Sequence, residues 1–176
     1  MSQTLRENLD SLYRLHARAV EQYNLGKPAQ ALATLNRALR SIDSASLPVR
    51  EGHILLARVW ISIALNEAEV YSLQRGLRAL DKAQDYSTLA ADPGVAVLLH
   101  CQRGLIQLRG GRLDAALLSF EAAVEYVGYA EPRDQSSIWL NRGTVLMLQG
   151  RLKQARRDLA EAARVASESH LLWSEF

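Results

Sequence analysis

The sequence predicts an all-α fold of about four helix pairs, eight helices in all, and three observations support it. Ala and Leu dominate the 48% of residues that are hydrophobic, whereas aromatic residues make up only 6%. The 176 residues include just 4 Pro and 10 Gly, a usage typical of long helices. Small residues and glycines return four times in the same relative order, which indicates a structural repeat. This composition excludes an all-β barrel and a parallel sheet.

The repeat is defined by five positions in register. Its two best copies are Gly104-x6-Gly111-x4-Ala116-x3-Phe120-x2-Ala123 and Gly143-x6-Gly150-x4-Ala155-x3-Leu159-x2-Ala162. An earlier copy with identical spacing is Ala19-x6-Gly26-x4-Ala31-x3-Leu35-x2-Ala38. The remaining copy retains Ala64, Gly76, Leu80 and Ala83, with Tyr71 in place of the turn glycine.

These offsets have a physical meaning. The first small residue lets two antiparallel helices approach closely, and the glycine seven residues later ends the first helix at positive φ. The offsets are those of the tetratricopeptide repeat, which nearly the whole chain resembles. The resemblance implies one right-handed solenoid domain, residues 1–176, in which neighbouring pairs stack because no pair can bury both faces alone.

The turn formers predict the boundaries of these elements. The expected helices span about 3–25, 28–42, 49–72, 74–86, 94–109, 112–127, 135–149 and 151–167. The expected repeats span about 12–45, 53–86, 97–128 and 136–167. Because the period exceeds the usual tetratricopeptide length, we assign the extra residues to three joints, Ser41–Pro48, Tyr86–Gly94 and Gly128–Gln135.

The tail, 168–176, is unusually apolar for the end of a solenoid, whose last outer face is normally polar. Its large apolar residues are Leu171, Leu172, Trp173 and Phe176. Three interpretations stay open: a folded-back cap, the start of an interrupted next repeat, or a surface for a partner or for self-association.

Charge and cysteine usage exclude several classes of function. Lys plus Arg is 21 and Asp plus Glu is 19, so the net charge of +2 does not indicate a nucleic-acid partner. The single cysteine excludes an intrachain disulfide and a cysteine-rich zinc site. Neither a signal-like nor a membrane-length apolar run occurs. We therefore expect a cytoplasmic protein without membrane association, metal or other cofactor.

Three phrases resemble a particular group of repeat proteins: Gln102-Arg103-Gly104, Arg109-Gly110-Gly111-Arg112-Leu113-Asp114-Ala115-Ala116 and Leu140-Asn141-Arg142-Gly143. They look like the repeats of actinobacterial tetratricopeptide proteins that end in a CHAT domain, a caspase-like cysteine protease fold. The resemblance covers about residues 10–167 and no part of the protease domain. It implies a bacterial sensor or scaffold arm whose partner is a downstream CHAT domain of the same polypeptide. The alternative is a standalone regulator or assembly chaperone associated with signalling or transcription.

The chain itself is not expected to be an enzyme. Cys101 has His100 beside it, but successive helical residues do not face each other. His16 shares the repeat position of Cys101, but two helix pairs are expected to separate them. Because a nucleophile needs its base within hydrogen-bond reach, a Cys–His dyad is disfavoured.

The first helices of such repeats line a concave wall, which predicts a largely apolar groove for a peptide, helix or partner domain. The residues predicted to bind are Tyr13, His16, Val20, Tyr23, Arg58, Leu65, Cys101, Leu105, Leu108, Arg109, Leu140, Thr144 and Met147. Further wall positions are Asn24, Ile61, Glu69, Leu98, Ser137 and Leu148. About half of these side chains are expected to serve also as inter-repeat core.

Arginine recurs just before the small residue of three repeats, at Arg18, Arg103 and Arg142. Stacked guanidinium groups could contact a phosphate or an acidic peptide. The alternative, which we favour, is that each arginine caps loop carbonyl groups or pairs with a carboxylate of the neighbouring helix, such as Glu121 or Glu161. Trp60 and Trp139 are expected to pack in the core, without charged neighbours.

Overall fold

The structure, a computed structural model, describes residues 3–44 and 49–174, and its side chains over 7–42 and 49–168. These residues form eight α-helices and one short turn of 3-10 helix, with no strand among them. The helices are α1 Gln3–Asn24, α2 Pro28–Ser44, α3 Val49–Val70, α4 Leu73–Ala90, α5 Pro93–Arg109, α6 Leu113–Glu125, α7 Pro132–Leu148 and α8 Leu152–Ser174. The predicted all-α fold of eight helices is confirmed.

The chain divides into two compact units, Met1–Val95 and Ala96–Phe176. In the first unit α1 pairs with α2 and α3 pairs with α4, and α2 also packs on α3. The Thr34 hydroxyl donates a hydrogen bond of 2.8 Å to Gln22 Oε1, which joins the end of α1 to the start of α2. This contact and the short intervening turn show that the two helices are antiparallel.

In the second unit the close helix crossings lie at the predicted small residues. A Cβ atom built on Gly104 would lie 2.8 Å from the ring of Phe120, so α5 and α6 approach too closely there for a side chain. A Cβ on Gly143 would lie 3.0 Å from Leu159 Cγ. Phe120 is fully buried in a core that includes Ala116, Leu117, Val145, Leu146 and Ala155. The small residues thus allow the two helices of each pair to pack closely, as the repeat pattern predicts.

The predicted turn glycines adopt the left-handed backbone conformation. Gly26, Gly111 and Gly150 have φ of 72°, 70° and 74°. In the pair that lacks the glycine, Tyr71 and Ser72 make the turn, and the Ser72 hydroxyl accepts a hydrogen bond from the backbone N–H of Arg75. A side-chain cap at the start of α4 therefore accompanies the turn without glycine.

Two predicted boundaries are wrong, because the helices are longer than expected. Helix α4 continues to Ala90 and α8 continues to Ser174, instead of ending at 86 and 167. Most of the segment assigned to the joint Tyr86–Gly94 is therefore helix. Neither extension contains a glycine or a proline that would end the helix. Helix α4 stops where the next residue, Ala91, adopts a positive φ of 47°.

The other joints also differ from the expectation. Helix α2 reaches Ser44, and residues 45–48 lie outside the described part of the chain. Between α6 and α7 the chain forms the 3-10 turn Val127–Tyr129, and α7 starts at Pro132. The backbone of 168–174 continues α8, whereas the side chains of Leu171, Leu172 and Trp173 and all of Phe176 lie outside the description.

Candidate functional site

One face of α7 carries exposed apolar side chains at helical spacing. Leu140 is 50% exposed and Met147 is 49% exposed. They follow Ser137 at offsets of three and ten residues, and Thr144 lies between them on the same face. The Thr144 hydroxyl donates a hydrogen bond to the Leu140 carbonyl oxygen, so its polar group is satisfied within the helix. We call Ser137, Leu140, Thr144 and Met147 the α7 stripe.

The corresponding face of α5 is half-buried. Cys101, Leu105 and Leu108 all pack against the core cluster around Phe120. Leu98 packs against a second cluster formed by Val97, Ala123 and Ile138. These predicted groove residues therefore also contribute to the hydrophobic core. Arg109, at the end of α5, is exposed, as is Leu148 at the end of α7.

A cleft of about 240 Å³ lies between α5 and α7. We call it the α5–α7 cleft, and its lining residues are Val97, Leu98, Cys101, Gln102, Leu105, Ala130, Asp134, Ser137, Ile138 and Asn141. Its apolar lining comes largely from α5 and Ile138, whereas three of its four polar side chains belong to α7. The cleft brings together Cys101 and Leu105, which were predicted as binding residues, with Ser137 of the α7 stripe.

The cysteine in the cleft is an uncharged thiol at neutral pH. Burial, and secondarily the nearby Asp134 carboxylate, raise the pKa of Cys101 to about 12. Because the thiolate is the reactive form, this environment opposes nucleophilic chemistry. His100 stacks on Tyr126 with ring centroids 6.2 Å apart. Burial and the positive charge of Arg103 lower the pKa of His100, whereas Glu125 opposes that shift.

In the first unit, only some of the binding residues predicted on α1 are exposed to solvent. Tyr13 and Val20 are exposed, whereas Tyr23 is half-buried. His16 lies against α3, where its Nε2 and the Ser62 hydroxyl oxygen are 2.9 Å apart. Burial, followed by the positive charge of Arg58, lowers the pKa of His16. His16 is therefore held neutral in a packed contact between α1 and α3.

The predicted face of α3 is mostly packed. Arg58 and Leu65 are half-buried and Ile61 is buried, whereas Glu69 is exposed. Asn24, at the end of α1, is also exposed. The predicted residues of the first unit thus present a smaller exposed apolar surface than the α7 stripe and its neighbours.

The three recurrent arginines differ in their surroundings. Arg142 Nε and Nη2 donate hydrogen bonds of 2.6 and 2.8 Å to the two carboxylate oxygens of Asp158. Arg18 is exposed and Arg103 is half-buried. The carboxylate that pairs with Arg142 thus comes from α8, but it is Asp158 and not Glu161.

Trp139 departs from the core role expected for it. Its ring is half-buried, and the Arg142 guanidinium carbon lies 4.7 Å from the ring centroid. The expectation of no charged neighbour is therefore wrong. The cation stacks on the ring while its donors bind Asp158. Trp60 is likewise half-buried.

Three polar cleft residues were not predicted: Gln102, Asp134 and Asn141. A signal for two of them exists in the sequence, because Asp134 and Asn141 flank Ser137 at offsets of three and four, on one helical face. Gln102 follows a predicted wall residue directly and has no signal of its own. Its Oε1 is buried and has no hydrogen-bond partner among the described residues.

The described residues also lack two other features, a metal-binding cluster and a membrane-spanning helix. They contain no group of three or more His, Cys, Asp or Glu side chains arranged to hold a metal ion. None of their helices combines the length and apolarity needed to span a membrane.

Comparisons with known proteins agree with the geometry. The tetratricopeptide repeat family matches residues 101–170. BtubC (BKLC) from P. vanneervenii has a similar crystal structure, with a TM-score of 0.72 and 15% identity, over 90% of this chain and 64% of that chain. This chain therefore spans somewhat less than two thirds of BtubC. No curated protein matches the sequence.

The crystal structure of MamA is also similar, with a TM-score of 0.63 and 15% identity over 96% of this chain and 85% of that chain. At such identities the likeness shows the fold alone. Residues 101–170 thus carry tetratricopeptide repeat sequence, and the chain has the tetratricopeptide-type all-α solenoid fold that the sequence predicts.

Proposed function

We propose that the chain is a non-catalytic protein-interaction module that binds a peptide, helix or partner domain. The observation that carries the proposal is the α7 stripe, which borders the α5–α7 cleft at Ser137 and whose Leu140 and Met147 are half exposed. Exposed apolar side chains next to a preformed cleft favour the docking of an amphipathic segment. The corresponding residues of α1, Tyr13 and Val20, offer the same kind of contact in the first unit.

The proposal that the module is non-catalytic has physical support at the cysteine. The raised pKa of Cys101 keeps the thiol protonated at neutral pH. The absence of charge also makes this side chain a suitable apolar wall for a bound segment.

Two substitutions test the binding surface. Leu140→Glu and Met147→Glu place a charge on exposed positions, so folding should be retained while partner binding weakens by about tenfold or more. Leu118→Glu is the matched control, because Leu118 is 68% exposed on α6 and does not line the α5–α7 cleft. The partner would be identified by affinity capture and mass spectrometry, and its Kd measured with each variant. Unchanged binding in both stripe variants would contradict the proposal.

We further propose that the module is the sensor or scaffold arm of a CHAT-type protease system in the bacterial cytoplasm. This rests on the resemblance of the phrases around Gly104, Gly111 and Gly143 to such proteins. Reading the coding frame beyond Phe176 tests it. Continuation into a domain with a His and a Cys nucleophile would support the arm. A stop codon there would favour the standalone regulator or chaperone.

A further inference from the structure

We propose that the α5–α7 cleft binds one basic side chain, lysine or arginine, of a partner segment whose apolar residues lie on the α7 stripe. This inference rests on the proposed function, because it assigns partner chemistry to the same face of the second unit. It goes further in naming the charge that the partner presents and the residues that recognise it.

The polar groups that line the cleft favour a positively charged ligand. Asp134 supplies a carboxylate, and Gln102 Oε1 is a buried acceptor without a donor among the described residues. The Ser137 hydroxyl donates its hydrogen to the Arg133 carbonyl, which leaves its oxygen free to accept. No basic side chain lines the cleft. Such a set of acceptors is satisfied by a ligand that donates several hydrogen bonds and carries positive charge.

Asp134 is an exposed residue of the cleft lining that lies near Cys101. Its carboxylate is close enough to Cys101 to contribute to the raised pKa of that thiol. No described basic group forms an ion pair with Asp134. The carboxylate is therefore available to a ligand.

The apolar part of the cleft surface suits the methylene groups of a basic side chain. Leu98, Leu105 and Ile138 line the cleft with aliphatic side chains. Lysine and arginine carry three or four methylene groups below the charged group, and these pack well against such walls. A cleft of about 240 Å³ is large enough for one such side chain. An acidic side chain would instead face Asp134 and the orphan oxygen of Gln102.

A displayed peptide library tests the proposal with the full 176-residue chain as bait. One central position is randomised and the flanking positions carry leucine, methionine or phenylalanine, so that the flanks can occupy the α7 stripe. We expect lysine and arginine at the central position to be enriched about fivefold or more over leucine and glutamate, as a partly exposed charge-assisted contact allows. Replacing the selected basic residue by norleucine should weaken binding by a similar factor.

Matched variants assign that preference to the cleft. Asp134→Asn should reduce the lysine-to-norleucine affinity ratio to near one. Glu131→Gln makes the same change of charge three residues earlier, outside the cleft, and should leave the ratio unchanged. Asn141→Asp adds a second carboxylate to the cleft and should increase the ratio. A melting curve for each variant verifies folding.

The outcomes separate the two proposals. Peptides that bind through Met147 but show no basic preference would overturn the cleft assignment and leave the proposed function standing. A preference that falls equally in Asp134→Asn and Glu131→Gln would also overturn it, because the cause would be net charge. If no selected peptide depends on Met147, both proposals fail.

Discussion

Arg142 and Asp158 form a two-bond ion pair between α7 and α8, with distances of 2.6 and 2.8 Å. Asp158 is only 6% exposed, so almost all of its carboxylate is removed from water. Thr34 and Ser119 occupy the equivalent position in two other repeats, and there a glutamine of the preceding helix accepts the hydroxyl hydrogen bond. The last repeat thus replaces a neutral buried pair by a charged one.

Asp158→Asn should destabilise the fold by about 2–3 kcal/mol, because the amide places a donor against a buried guanidinium. Chemical denaturation would measure this loss. Glu168→Gln is the control, since its ion pair with Arg164 is exposed on both sides and should not contribute measurably. Equal loss in both variants would show that burial does not determine the strength of the pair.

The sequence contains a signal for this pair. The position three residues after the small residue holds an uncharged side chain in the other repeats. After Ala155 that position holds a carboxylate, and a buried carboxylate needs a cation beside it. Arg142 is the cation that precedes it on α7. Glu161, one of the carboxylates expected to pair with the recurrent arginines, pairs with Arg164. Periodicity identified the arginine, but only the position of the carboxylate in the repeat identifies its partner.

Gly104→Ala should destabilise the fold. The added methyl group would lie 2.8 Å from the buried Phe120 ring, which costs about 1–3 kcal/mol. The gain in helix propensity, about 1 kcal/mol, is smaller than most of this range, so a net loss of up to about 2 kcal/mol is expected. Gly143→Ala should destabilise the fold less. Its added Cβ would lie 3.0 Å from Cγ of Leu159, which is only half-buried and can shift more easily than Phe120. Melting temperatures of both variants test the order, and a more stable Gly104→Ala variant would contradict the close packing.

Ala91→Gly should stabilise the fold by about 0.5–1 kcal/mol. Ala91 ends α4 with φ of 47°, a conformation that glycine adopts without a Cβ penalty. The same substitution one residue earlier provides the control. Ala90 is buried within the helix, so Ala90→Gly should destabilise by about 1 kcal/mol. Calorimetry would detect that the two substitutions change the free energy of unfolding in opposite directions. A change in the same direction would contradict the assigned end of α4.

The end of α4 also shows what the sequence pattern could not determine. The turn glycines at Gly26, Gly111 and Gly150 were predicted and adopt positive φ. No such residue ends α4, and the helix runs on until the segment before Pro93. Helix boundaries were therefore predictable where glycine terminates the helix and not where alanine does.

Only part of the candidate site could be predicted from the sequence. Repeat register placed Leu140, Thr144 and Met147 on one face of α7, because side-chain direction follows helical spacing. It did not predict Asp134 or Gln102 in the cleft. The width of a cleft depends on how neighbouring helices pack, which residue spacing within one helix does not specify.

The stability of the first unit should fall as the pH decreases below about 6.5. The folded state lowers the pKa of His16, mainly by burial and further by Arg58, so the unfolded chain takes up the proton first. The contribution is complete above the unfolded pKa and is lost as the pH falls through it towards the folded value. His16→Gln should reduce the slope of stability against pH in this window.

His100 requires a parallel measurement, because burial and Arg103 lower its pKa as well. His100→Gln should remove a separate part of the slope of stability against pH. Unfolding free energies measured across the window would test this. An unchanged slope in both His16→Gln and His100→Gln would contradict the assignment to these two groups.

Site-specific photo-crosslinking in the source cell tests most directly whether a partner protein docks on the α7 stripe. A photoreactive phenylalanine analogue replaces Leu140 on the α7 stripe in one variant and Leu118 on α6 in the other, and both positions are at least half exposed. Docking on the α7 stripe predicts a defined protein adduct from position 140, lost when Met147→Glu is added, and none from position 118. Adducts from position 118 alone would contradict binding through the α7 stripe.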